Sequence, residues 1–180
     1  MISYFHINIM KLNKTSKMVY MALLVSLALI LSLIERVIPV PFVTPGAKLG
    51  LANLVIMLSV YTLDSYKDAF TVLVLRLILS TLLGGSVSML LYSVAGGILS
   101  FLVILLVKTL GSKHVSIIGV SAAGSVFHNV GQLFIASLIL NNFNVFLYLP
   151  LLSLVGICTG IFVGLSANYI LGHIKKITSI

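Results

Sequence analysis

The side chains of this chain that could bind a ligand are few, and they stand in an otherwise apolar sequence. The candidates are Lys48, Asn53, Arg76, His128, Asn129 and Gln132. A cation pairs with a carboxylate or a phosphate, whereas amide and imidazole groups orient a ligand by hydrogen bonds. We therefore predict one substrate-binding shell made of these six residues, with no catalytic residue and no metal ligand among them.

Arg76 has two interpretations. It stands in the middle of an apolar segment with no acid near it in sequence, so its partner must come from another helix or from a ligand. Glu35 is the only acid near the same side, and a structural pair of Glu35 with Arg76 or Lys48 is one possibility. Two cations against one acid leave positive charge, which favours an anionic ligand. We expect Arg76→Ala to abolish binding while leaving membrane insertion intact.

A proline-rich connection precedes Asn53. Pro39, Pro41 and Pro45 fall within seven residues, which excludes a regular helix there. Pro45 with the glycine after it suits a tight turn. A stiff connection that presents Lys48 above a bundle predicts a lid over the ligand. The alternative is an interfacial loop whose lysine extends to the lipid headgroups.

A polar cluster lies in the fifth apolar segment. Ser125, His128 and Gln132 fall on one helical face with Asn129 beside them. One such residue is usually a hydrogen bond between helices, but a cluster of them favours a cavity lining. The histidine has no second histidine or acid at metal-ligand spacing, so neither a metal nor a cofactor is predicted.

These residues belong to a chain whose composition indicates an integral membrane protein. Hydrophobic residues make up 60%, charged residues 8%, and the mean hydropathy is +1.24, which favours transport, membrane-embedded binding or scaffolding over soluble catalysis. We predict an all-α bundle of six transmembrane helices. The segments are Met18–Val37, Leu49–Leu63, Ala69–Leu83, Ser86–Val107, Val115–Leu140 and Val145–Leu171. The second and third are short for a crossing, so they either recruit flanking residues, thin the bilayer locally or are helices partly buried by their neighbours.

The distribution of lysine and arginine predicts the orientation. With the N-terminus in the cytoplasm, eight lysines lie on the cytoplasmic side and only Arg36 and Lys48 lie outside. Both termini are then cytoplasmic, in a bacterial cytoplasmic membrane. Residues 1–17 form an extension, 18–172 the membrane domain and 173–180 a tail. The net charge of +8 follows from this topology and from anionic lipid, and no nucleic-acid partner is predicted.

Small residues mark the expected helix contacts. Gly156, Gly160 and Gly164 recur every four residues and allow close backbone approach. Ala22 and Ser26 form a similar stripe on the first segment, where they either seat a neighbouring helix or dock another membrane subunit. At the start of the third segment, Asp64 is predicted to be the helix N-cap.

Four segments resemble one bacterial membrane family: Pro45–Asn53, Leu75–Arg76, Ser93–Gly97 and Phe127–Gln132. The family is labelled heptaprenyl diphosphate synthase component I, also called Gx transporters, and is similar to the substrate-binding S components of energy-coupling factor transporters. The resemblance covers roughly residues 18–171. It implies six helices and a vitamin-like or isoprenoid- or quinone-related ligand.

The resemblance also implies partners, namely a transmembrane coupling subunit and two ATPases, docked through Ala22 and Ser26. The chain itself has no GxxxxGK[ST] phosphate-binding loop, so transport would need an ion gradient or such a partner. Two alternatives remain. One is a non-catalytic accessory subunit of heptaprenyl diphosphate synthase, because the chain lacks the aspartate-rich motifs that synthesis requires. The other is a membrane scaffold in a redox or quinone-related complex.

Overall fold

The computed structural model describes residues 13–37, 50–111 and 115–178. This part of the chain is helical and contains no β-strand, which confirms the predicted all-α class. The α-helices are α1 Lys14–Val37, α2 Asn53–Thr62, α3 Tyr66–Leu82, α4 Val87–Leu110, α5 Ile117–Ile139 and α6 Leu149–Thr178. A 3₁₀ helix over Phe143–Tyr148 leads into α6.

Four of these helices have the length and composition of membrane spans. They are α1, α4, α5 and α6, the last together with its preceding 3₁₀ helix. Large apolar side chains such as Leu23, Leu102 and Phe162 are exposed on their outer faces. Because exposed apolar surface on this scale is costly in water, these faces suit a bilayer.

Helix α2 is shorter than the predicted crossing over Leu49–Leu63. It has ten residues, so it is about 15 Å long, about half of a hydrocarbon core. Nine of the ten are buried, and the helix packs against α1, α3, α4 and α6. The largely apolar sequence of α2 therefore matches its enclosure by the neighbouring helices.

Charged side chains from neighbouring helices form hydrogen bonds near both ends of α2. Glu35 Oε1 of α1 accepts hydrogen bonds from the backbone N–H groups of Gly50 and Leu51, just before the helix. Lys108 of α4 donates from Nζ to the carbonyl oxygen of Val60 in the last turn, at 2.6 Å. An anion near the N-terminus of a helix and a cation near its C-terminus both interact favourably with the helix dipole.

Helices α1 and α3 run parallel and are joined at both ends. Lys17 forms an ion pair of 2.8 Å with Asp68 in the first turn of α3. At the opposite end, Arg36 donates to the carbonyl oxygens of Ser80 and Leu83. The N-cap of α3 is Ser65, whose side chain accepts from the N–H of Lys67. The prediction that Asp64 is this N-cap is therefore wrong by one residue.

Glycines allow α5 to pack closely on α6 and on α4. An ideal Cβ at Gly160 would lie 2.5 Å from Ala122 Cα, and one at Gly164 would lie 2.7 Å from Ile118 Cα. On the other side of α5, a Cβ at Gly131 would lie 2.7 Å from the carbonyl oxygen of Ala95. The spacing of glycines in α6 thus serves a helix contact within this chain, as one interpretation of the sequence expected.

The described lysine and arginine side chains lie at different levels along the bundle axis. All six described lysines lie towards the end where α1 and α3 begin and α4 and α6 end: Lys14, Lys17, Lys67, Lys108, Lys175 and Lys176. Arg36 lies at the opposite end, and Arg76 lies between the two ends in α3. On the outer face of α1, Ala22 and Ser26 are exposed, and the Ser26 hydroxyl donates to the Ala22 carbonyl oxygen at 2.9 Å.

Candidate functional site

A pocket lies where the N-terminal end of α2 meets α1, α3, α4 and α5. Its lining residues are Ser32, Glu35, Gly50, Ala52, Arg76, Leu77, Ser80, Ser93 and His128. Because α2 begins beside the middle of α5, the pocket lies within the bundle rather than on its end. The pocket is narrow in this conformation, with room for about one water molecule.

Arg76 provides the guanidinium of this pocket. The side chain is only 5% exposed, and its Nε has no hydrogen-bond partner in the described structure. Glu35 in the same wall interacts with it electrostatically. Gly97 of α4 lies beside the guanidinium, and a Cβ there would be in ordinary van der Waals contact with Arg76 Nη2, at 3.6 Å. A buried guanidinium with hydrogen-bonding capacity to spare is suited to an anionic or carbonyl-bearing ligand.

His128 is held between two glycines. An ideal Cβ at Gly96 would lie 2.9 Å from both Nδ1 and Cε1 of His128, and one at Gly50 would lie 3.2 Å from Cδ2. Gly50 also has a φ of +87°, a conformation that side chains other than glycine rarely adopt. The imidazole, 3% exposed, therefore occupies space that any larger residue at positions 50 or 96 would take.

Asn53 is the first residue of α2 and lies beside this pocket. A Cβ at Gly50 would lie 3.0 Å from Asn53 Nδ2 as well as close to His128. The Asn53 side chain is 2% exposed, and neither Oδ1 nor Nδ2 has a hydrogen-bond partner in the described parts of the chain. Buried polar atoms without partners are costly, so a ligand or an ordered water would stabilise this position.

The other predicted ligand-shell residues are placed differently. Asn129 donates from Nδ2 to the carbonyl oxygen of Leu152 at 2.7 Å, so its amide joins α5 to α6. Gln132 is buried one turn beyond His128 and is not among the lining residues. Lys48 and the predicted proline-rich lid lie outside the described residues. The structure thus brings Arg76, His128 and Asn53 together.

Part of the pocket wall was not predicted from the sequence. Ser32 and Glu35 are three residues apart on α1, and Arg76 and Ser80 are four residues apart on α3, so each pair shares a helix face. Ser93 of α4 completes the set. The sequence does contain a signal for these residues, because polar residues three or four positions apart in an apolar segment lie on one helix face. The signal appears only when the residues are considered in pairs.

A family model described as Heptaprenyl diphosphate synthase component I matches residues 24–170. The chain belongs to this family. All nine lining residues of the pocket fall within the matched region. No curated protein and no solved structure matches the chain.

The charges of the pocket wall are close to balanced. Its described members include one guanidinium, one carboxylate and one imidazole, together with three serine hydroxyls. The described residues contain no group of three or more His, Cys, Asp or Glu side chains that could hold a metal ion. This arrangement can bind a small polar group, to which it offers hydrogen bonds and one fixed cation.

Proposed function

We propose that this member of the family is the substrate-binding membrane subunit of an energy-coupled importer. Its ligand would be a small vitamin-like molecule, or an isoprenoid- or quinone-related molecule, with an anionic group. The observation that carries this proposal is the buried Arg76 guanidinium, whose Nε has no described partner, beside His128 and Asn53. Binding sites commonly combine apolar walls with a few polar groups that converge in this way.

The proposed topology has six membrane segments, with α2 and α3 completed by adjoining residues, and both termini in the cytoplasm. The position of all described lysines towards one end of the bundle supports it. The pocket lies on the opposite side of the middle, among residues near the ends of α1 and α3 and the start of α4. It would therefore receive its ligand from outside a bacterial cytoplasmic membrane.

The proposed subunit binds and does not catalyse. Glu35 already accepts two backbone hydrogen bonds, and Asp68 pairs with Lys17. The remaining acid of the chain, Asp64, is four residues from Asp68 in the connection before α3. Energy would come from ATPase subunits through a transmembrane coupling subunit. The exposed Ala22 and Ser26 on α1 offer a small-residue surface on which such a subunit could pack.

A second candidate function is favoured by the family description. The chain would be a non-catalytic membrane accessory subunit of a heptaprenyl diphosphate synthase, with the catalytic carboxylates on a partner chain. Its pocket would then hold part of a lipid substrate or product. The two functions differ most clearly in the partner proteins that they require.

Purification of the full-length chain from its native membrane in mild detergent separates the two. Mass spectrometry would identify both the co-purifying proteins and the retained small molecules. A membrane coupling subunit with two ATPases, together with a retained small molecule, is the result expected for the importer. A prenyl diphosphate synthase subunit without ATPases would refute the importer and support the accessory subunit.

A further inference from the structure

The pocket contains its own anion. Glu35 is 3% exposed and lines the same wall as Arg76. Its Oε1 accepts from the N–H groups of Gly50 and Leu51 at the N-terminal end of α2. In many proteins the N-terminus of a helix binds the phosphate or carboxylate of a ligand. Here the protein supplies that carboxylate itself.

Glu35 is fixed in this place by the structure around it. Gly50 and Leu51 lie just before the N-cap of α2, and Glu35 Oε1 accepts a hydrogen bond from the N–H group of each, so the carboxylate joins α1 to the connection that leads into α2. Displacing the carboxylate would leave buried donors without a partner, which is costly. An arriving ligand therefore meets the Glu35 carboxylate at a fixed position in the same wall as Arg76.

We propose that Glu35 sets the charge of the ligand: the pocket accepts a neutral polar group or a single carboxylate and excludes a diphosphate. One guanidinium faces one fixed carboxylate in the described wall, so a monoanion brings the local charge to about minus one. A diphosphate carries several charges and would be repelled by Glu35 while Arg76 compensates only one of them. Lys48, which lies outside the described residues, would add a single positive charge at most.

The neutral amide of Asn53, beside the pocket, agrees with this assignment. Asn53 presents both an amide donor and an amide acceptor without described partners. A neutral amide or hydroxyl group can pair with both the donor and the acceptor of Asn53, whereas an ionised diphosphate accepts hydrogen bonds only and leaves the Asn53 acceptor unpaired. The inference rests on the proposed binding function, and it makes Glu35 a specificity-determining residue of the same site.

The test compares two probes on the full-length protein in detergent, without divalent cations. The probes are benzoate, a monocarboxylate, and inorganic pyrophosphate, and binding is measured as concentration-dependent thermal stabilisation that Arg76→Ala removes. The matched variant is Glu35→Gln, because the amide oxygen keeps an acceptor for Gly50 and Leu51 while the charge is lost. Wild type is expected to prefer benzoate by about tenfold or more, and Glu35→Gln to reduce that preference by about tenfold.

A second variant covers the case in which Glu35→Gln does not fold. Ser93→Lys adds a cation to the wall at a partly exposed position, and it should strengthen pyrophosphate binding more than benzoate binding. Tighter binding of pyrophosphate than of benzoate by wild type would overturn the charge limit while leaving the binding function standing. The charge limit is likewise overturned if neither variant changes the preference. Binding of neither probe in an Arg76-dependent manner would overturn the binding function itself and the inference with it.

Discussion

Gly96→Ala should displace His128 and weaken the pocket. The new Cβ would lie 2.8 Å from the His128 carbonyl oxygen and 2.9 Å from two ring atoms. Ordinary van der Waals contact begins near 3.4 Å, so either the ring or the backbone of α5 must shift by about half an ångström. Overpacking of this kind costs about 1–3 kcal/mol, and the better helix propensity of alanine returns up to about 1 kcal/mol.

The matched control is Gly172→Ala on α6, where an added Cβ meets no atom within 4 Å. Both variants make the same chemical change within a helix, so the difference between them isolates the clash. We expect Gly96→Ala to be less stable than Gly172→Ala by about 1–3 kcal/mol, measured by reversible unfolding in mixed detergent micelles. Retained ligand should fall only in Gly96→Ala. Equal stability and equal ligand retention in the two variants would refute this account of how His128 is positioned.

Two further variants test the frame around the pocket. Gly160→Ala places a Cβ 2.5 Å from Ala122 Cα, which is a backbone atom and cannot move aside easily. The free energy of unfolding should therefore fall by about 1–3 kcal/mol or more relative to Gly172→Ala. An unchanged midpoint of the unfolding transition would contradict the α5–α6 packing. Lys108→Met removes the hydrogen bond to the last turn of α2 and the contact of the ammonium with the Tyr61 ring at 4.3 Å. A loss of about 1–3 kcal/mol is expected, and stability at or above that of wild type would contradict the role of Lys108 as a cap.

The long helices were predictable because their sequences carry the signal directly. A run of apolar residues long enough to cross a bilayer is sufficient to indicate α1, α4, α5 and α6. The clustering of lysines in the short polar breaks likewise follows from sequence, and the structure places the described lysines towards one end. The role of Gly160 and Gly164 in close helix packing could also be predicted from the sequence, because small residues every four positions favour close helix contact.

Helix α2 shows what this reasoning leaves open. Hydrophobicity alone does not distinguish a helix enclosed by protein from one exposed to lipid, so the segment around Asn53–Thr62 was predicted as a crossing. In the structure nine of its ten residues are buried, and Glu35 of the preceding helix accepts a hydrogen bond from Gly50, just before α2. A contact of this kind between two helices cannot be predicted from a local sequence pattern.

The positions of the predicted ligand-shell residues are a related case. Helical spacing places Asn129 next to His128 in sequence, but it does not say which neighbouring helix each residue faces. In the structure the amide of Asn129 bonds to Leu152 on α6, whereas His128 faces Gly96 and Gly50. From the sequence, residues on four different helices could be named as candidates for a site, but their proximity in the fold could not be predicted. The predicted lid with Lys48 stays a prediction.

Ligand retention by wild type and by Arg76→Ala tests the central claim most directly. Both proteins would be purified from the native membrane under the same conditions, checked for folding by their unfolding transitions, and examined by native mass spectrometry. The account predicts a small molecule bound to wild type and its absence from a folded Arg76→Ala protein. A folded variant that retains the same molecule, or an Arg76→Ala protein that fails to fold because Glu35 has lost a structural partner, would contradict it.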